Sequence, residues 1–138
     1  MSTKVVNPHS KVKTARIMVI DDEPEITEVI EAFLHSAGYL TMTENSAIMA
    51  VERVAEFKPD LILLDIMMGG MDGYSVCEEL KKLPEAKNTP VLFLTGKDSR
   101  DDSGKSFRVG GDMFIKKPFS GDRLLEIINI VLVSIGKR

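Results

Sequence analysis

The stretch Leu61-Ile62-Leu63-Leu64-Asp65 decides the fold. Four apolar residues in a row cannot alternate between a wet face and a dry one, so a strand made of them is buried on both sides. Such a strand belongs in the middle of a parallel sheet, with helices covering both faces. Outward from it, four more short runs, at 17–20, 39–43, 90–94 and 113–115, read as strands. The run at 39–43 contains Thr41 and Thr43 and suits a sheet edge. Between the runs, apolar residues at helical spacing predict helices over 24–37, 46–57, 72–82, 100–109 and 120–135. Their ends are marked: Asp22-Glu23-Pro24 opens the first helix and Ala37-Gly38 stops it. Asp72-Gly73 and Ser120-Gly121-Asp122 open the third and last helices in the same way. Strand and helix alternate five times, which makes an α/β protein with an open parallel sheet.

At 138 residues the chain has room for one domain, large enough to fold without disulfides or a structural metal. Its 43% hydrophobic and 28% charged residues exclude collagen-like, low-complexity and wholly disordered classes. The single cysteine, Cys77, cannot form an internal disulfide, fits a reducing compartment and reads as a small buried hydrophobe. No signal segment opens the chain, and no apolar run approaches the ~20 residues needed to span a bilayer. The expected location is the cytoplasm. The net charge of −3 is uneven: residues 1–16 carry Lys4, Lys11, Lys13 and Arg16 without an acid, leaving 14 bases against 21 acids in the rest. An acidic body argues against direct nucleic-acid binding, which needs clustered Lys and Arg. Residues 1–14 read as a flexible basic tail, 15–136 as the domain, and 137–138 as its end.

Ligands of open parallel sheets bind beyond the carboxyl ends of the strands. Strand one leaves through Asp21-Asp22-Glu23, strand three through Asp65, strand four through Thr95-Gly96, and strand five through Lys116-Lys117-Pro118. Carboxylates crowded at one edge repel unless they share a cation, and a hard dication with oxygen ligands suits them; magnesium takes carboxylates, waters and a substrate phosphate. The Thr95 hydroxyl and Lys117 ammonium then suit a phosphoryl group. Taken singly, each residue has a plainer role: Asp21, Asp22 and Glu23 can cap the first helix, and Asp65 can end a strand at a turn. The functional reading rests on all four exits carrying complementary chemistry together.

At these residues the sequence resembles the receiver domain of two-component response regulators. The similarity runs through Ile17-Met18-Val19-Ile20-Asp21-Asp22-Glu23-Pro24, the segment LILLDIMMGGMDG at 61–73, VLFLTG at 91–96 and GGDMFIKKPF at 110–119. The resemblance implies a flavodoxin-like, five-stranded parallel sheet in the order 2-1-3-4-5. It implies that Asp65 is the phosphoacceptor, and that Asp21, Asp22, Asp65 and the Met67 backbone carbonyl hold Mg2+. Thr95 and Lys117 would bind the phosphoryl group, and Phe114 would fall on the aromatic switch position. A phosphohistidine on a sensor histidine kinase or histidine phosphotransfer protein would be the donor. The chain would be a phosphoacceptor rather than an enzyme, assisting its own phosphorylation and dephosphorylation. Its output to a downstream protein target would pass through the face formed by the fourth helical stretch, the fifth strand and the last helix. Three positions depart from the pattern: Gly69 where proline is most frequent, which with Gly70 after it loosens that loop; Gly96 for alanine; and Phe114 for tyrosine, without the hydroxyl.

The last helix predicts an apolar stripe at 124, 128, 131 and 135, with 127 beside it. Leu125 and Leu132 fall on another side, either as an exposed partner or homodimer surface or within a broadly buried helix. Ile127 stands where the winged-helix class of regulators usually has an arginine for dimer salt bridges, which argues against that subclass. With nothing after Arg138 the resemblance points to a stand-alone receiver, and a receiver cut from a larger protein would look the same. His9 and His35 lack metal-ligand spacing and read as solvated or structural, and Lys81-Lys82 reads as a solvated helix end. Three rival functions fit less well. A magnesium phosphatase with an aspartyl nucleophile wants an acid at 67, which is methionine. A flavin carrier wants a phosphate loop where Asp21-Asp22-Glu23-Pro24 would repel phosphate. A pure interaction module leaves the Asp, Thr and Lys set without a use.

Overall fold

A computed structural model describes residues 14–68, 71–96 and 113–136. Five strands, β1 (Arg16–Ile20), β2 (Leu40–Glu44), β3 (Leu61–Asp65), β4 (Val91–Thr95) and β5 (Met113–Lys116), form one sheet in the order β2-β1-β3-β4-β5. Every neighbouring pair is parallel. Helices α1 (Pro24–Ser36), α2 (Ala47–Phe57), α3 (Gly73–Lys81) and α4 (Gly121–Ser134) cover both faces. This is the flavodoxin-like α/β architecture, with the expected strand order. The helix expected at 100–109, the basic segment before Thr14 and the Gly69-Gly70 pair lie outside the described residues. On either side of that pair, Met67–Met68 and Met71–Asp72 run antiparallel as a two-residue ladder.

Alternation along the strands sorts the core into two layers. Met18, Ile20, Ile62, Leu64, Val91 and Phe93 point toward α2 and α3, where they meet Val54, Tyr74, Cys77 and Leu80. The intervening Ile17, Val19, Leu61, Leu63, Leu92 and Leu94 point toward α1 and α4. All five residues of β3 and of β4 are buried, as the apolar runs demand, whereas β2 is an edge strand with Leu40 exposed. Cys77 is buried in the first layer.

The amino edge of the sheet is tied by Arg16. Its N–H donates to Asp60 Oδ2 at 2.8 Å, the Asp60 N–H donates back to the Arg16 carbonyl at 2.7 Å, and Arg16 Nε donates to the Phe57 carbonyl at 2.7 Å. The guanidinium carbon also lies 4.9 Å from the centroid of the Phe57 ring.

The last helix corrects one expectation. Leu132 is 1% exposed and belongs to the core, and Leu125 is half-buried against it, so these two do not form an exposed strip. The buried set is Leu124, Ile127, Ile128, Val131 and Leu132, while Ile135 lies beyond the helix and is exposed. At about 100° per residue, this set covers a wider arc than a single stripe. The cause is that α4 packs against both the sheet and α1, sharing one core with Ile30 and Leu34. Ile130 and Val133 are the apolar residues that α4 leaves exposed.

Candidate functional site

Parallel register brings the strand exits together. Ile20 is paired with Leu64, which sets Asp21 and Asp65 side by side one residue on, and Thr95 is paired with Lys116, beside Lys117. The Lys117 N–H donates to the Thr95 carbonyl at 2.6 Å, fixing the end of β5 to the end of β4. Asp21, Asp65 and Thr95 are buried, and Asp22 is exposed at the mouth.

Carboxylate oxygens of Asp21, Asp22 and Asp65 lie within 4.8 Å of one another. Lys117 Nζ reaches in to Asp21 Oδ2 at 3.1 Å and Asp65 Oδ1 at 3.4 Å, with Glu23 Oε1 at 4.0 Å. One ammonium cannot neutralise three carboxylates, so the cluster retains excess negative charge. An all-oxygen donor set, two members buried and one open to solvent, fits a hard divalent cation.

These surroundings set the charge states. Burial first, and the Asp21 charge second, push Asp65 up to about 6, against the opposing pull of Lys117 and the Met67 N–H. For Lys117, burial disfavours the ammonium, but the Asp21 charge and hydrogen bond, then those of Asp65, outweigh it and hold its pKa above the ordinary value. At neutral pH Asp65 is therefore mostly a carboxylate and Lys117 an ammonium.

Neighbouring residues hold the acids in place. Asp21 Oδ1 accepts the Glu23 N–H at 3.0 Å, the Asp21 N–H donates to the Glu44 carbonyl at 3.1 Å, and Asn45 Nδ2 donates to the Asp21 carbonyl at 2.6 Å. Glu23 is the N-cap of α1 but makes no side-chain cap, which removes the plainer reading for that residue. Asp65 Oδ1 accepts the Met67 N–H at 3.3 Å, while the Met67 side chain is exposed. Gly73 donates to the Ile66 carbonyl at 2.7 Å; a Cβ there would lie 2.7 Å from Ile66 Cα and press on the Asp65 carbonyl. Phe114, opposite Phe93 in β5, is half-buried against the α2–α3 layer. Beside Lys117, a groove of about 440 Å³ separates Ile26, Val29 and Phe33 on α1 from Pro118 and Phe119.

Asn45 and Gly73 are the site residues that sequence reasoning missed. Asn45 follows the end of β2, the one strand exit not read for chemistry, and its partner is 24 residues away. Gly73 was legible as a helix start, but its closeness to the Asp65 backbone was not. Among the described residues, no helix is long and apolar enough to cross a membrane.

Comparison with known proteins agrees with this geometry. The family model described as the response regulator receiver domain matches residues 17–129. The chain is similar to Protein PilG of Pseudomonas aeruginosa, 37% identical over 113 residues, covering 82% of this chain and 84% of PilG. Among solved structures, Vibrio cholerae chemotaxis protein CheY4 superposes with a TM-score of 0.84 at 27% identity, covering 87% of this chain and all 100% of that one. A CheY-like receiver domain protein from Methanospirillum hungatei gives 0.82 at 27% identity, over 88% and 96% of the two chains. Sheet order, clustered acids and family match converge: the chain belongs to the response regulator receiver domain family, with Asp21, Asp22, Asp65 and Lys117 forming its acidic pocket.

Proposed function

We propose that the chain is a two-component phosphoacceptor that takes a phosphoryl group onto Asp65 from a phosphohistidine of a sensor histidine kinase or histidine phosphotransfer protein. The observation carrying this reading is the Lys117 ammonium, 3.4 Å from Asp65 Oδ1 and 3.1 Å from Asp21 Oδ2 inside a cluster of three carboxylates. An Asp65 oxygen attacks phosphorus, the phosphorus–nitrogen bond to the imidazole breaks, and the ring, already protonated on its other nitrogen, leaves as neutral imidazole. Asp21, Asp22 and Asp65, with the Met67 carbonyl, would hold Mg2+, which when bound screens the repulsion between carboxylate and phosphoryl oxygens. Lys117 pairs with the phosphoryl oxygens as the Asp65 charge is used up in the new bond, and the Thr95 hydroxyl donates to another of them. Neither residue is consumed, so the chain assists the transfer without turning over a substrate.

The acyl phosphate places more charge beside Thr95 and Lys117 than the carboxylate it replaces. Thr95 shifting toward it would leave space for Phe114 to turn inward, altering the surface around β5 and α4 that a downstream target reads. Because Phe114 has no hydroxyl, its two positions differ in packing alone.

The test is intact mass after incubation with acetyl phosphate, with and without magnesium, for the wild type and Asp65→Asn. The expected result is one added phosphoryl group that requires both magnesium and Asp65. An adduct that persists in Asp65→Asn overturns the assignment.

A further inference from the structure

Gly121 opens α4, and its presence there needs a reason. Its φ is not positive, since among the described glycines only Gly38 and Gly136 have that conformation. Alanine is also the better helix former, so neither backbone freedom nor propensity explains a glycine. Packing does. A Cβ at Gly121 would lie 2.6 and 2.7 Å from Phe33 Cδ1 and Cζ, and nearer still to Cε1, well inside the 3.4 Å at which ordinary contact begins. Phe33 stands on α1, half-buried against the core that α1 shares with α4.

Only Pro118, Phe119 and Ser120 separate Gly121 from Lys117. Ser120 is tied into the start of α4 by its Oγ, which accepts the Arg123 N–H at 3.0 Å. Bulk at 121 has two outlets. The start of α4 can retreat from α1 and draw the short loop with it, or the Phe33 ring can swing into the groove whose other wall is Lys117, Pro118 and Phe119. Both outlets border Lys117, whose contact with Asp65 at 3.4 Å is already near the limit of a hydrogen bond and whose contact with Asp21 is 3.1 Å, so a small shift there weakens its hold on the acids.

We infer that Gly121 is a positioning residue for Lys117: by ceding its Cβ space to the Phe33 ring, it seats the start of α4 against α1 and sets the ammonium over Asp21 and Asp65. The consequence for phosphorylation rests on the phosphoacceptor reading above; the placement of Lys117 does not.

The experiment uses the full chain as wild type, Gly121→Ala, Phe33→Ala and the double variant, each checked for folding by circular dichroism. Trace labelling of lysines with acetic anhydride, resolved by peptide mass, reports directly on Lys117, whose side chain is 19% exposed. Relative to the other lysines, Lys117 in Gly121→Ala should label about threefold faster or more, and the double variant should return toward wild type. The acetyl phosphate rate should fall about tenfold or more in Gly121→Ala and recover in the double variant. Unchanged Lys117 labelling in a folded Gly121→Ala overturns the inference, as does a loss that removing the ring fails to rescue. A wild type that takes no phosphoryl group sinks the phosphoacceptor reading instead, and the lysine labelling still decides the role of Gly121.

Discussion

Asp65 is held in a state that costs the folded chain something at neutral pH. Its pKa stands at about 6 against an ordinary 3.8, so the fold binds that proton more tightly than the unfolded chain does. The stabilising contribution of this group is therefore complete below 3.8 and is lost as pH rises through about 6. In chelator, the melting temperature of the wild type should fall further between about pH 5 and about pH 7.5 than that of Asp65→Asn, in which this titration is gone. The same sign governs metal binding. A divalent cation favours the ionised carboxyl, so apparent magnesium affinity measured by calorimetry should rise from about pH 5 to about pH 7 and then level off. An affinity flat across that range would contradict a carboxyl titrating near 6.

At the scale of elements, two glycines next to the site make opposite predictions. Gly73→Ala forces a Cβ against backbone of Asp65 and Ile66 that cannot swing aside, and should destabilise by about 2–3 kcal/mol and slow labelling of Asp65. Gly96→Ala meets nothing within 4 Å and should stay within about 0.5 kcal/mol of wild type. Urea denaturation of both variants checks the contrast. In α4, Leu132→Ala should cost about 2–4 kcal/mol and Ile130→Ala about 0.5 kcal/mol or less, because the first side chain is in the core and the second is not. That helix also marks where sequence stops being sufficient. The runs at 61–64 and 91–94 are apolar on both faces, so β3 and β4 could be read without knowing their neighbours. The phase of α4 depends on α1 as a second packing surface, nearly a hundred residues earlier in the chain, and periodicity within one helix contains no term for that. Asn45 and Gly73 were missed for a related reason: a donor to a distant carbonyl and a missing Cβ leave no mark on local pattern, whereas four charged or hydroxylated strand exits do.

For the whole molecule, the balance of charge at one end of the sheet governs stability. A bound divalent cation relieves the crowding among Asp21, Asp22 and Asp65 in the native state only, so magnesium at about 100 times its Kd should add about 2.7 kcal/mol to the unfolding free energy. The shift should vanish with chelator and shrink in Asp22→Asn, read as melting temperature against magnesium concentration. Calcium, which accepts more oxygen ligands at longer distances, should also stabilise, and comparing the two ions separates cation charge from coordination geometry.

The Arg16 latch at the opposite edge gives the sheet a fixed end. The reciprocal bonds between Arg16 and Asp60 lock β1 to the residue that precedes β3, and the guanidinium anchors both to the end of α2. Neither central strand can then slide along its axis to absorb an event at the far end. The clamp extends to β4, where the Thr89 hydroxyl donates to the Pro59 carbonyl at 3.4 Å and Lys81 Nζ donates to the Thr89 carbonyl. The sheet behaves as a cantilever, clamped at its amino edge and loaded at its carboxyl edge, so displacement has to emerge at the free carboxyl ends of the strands.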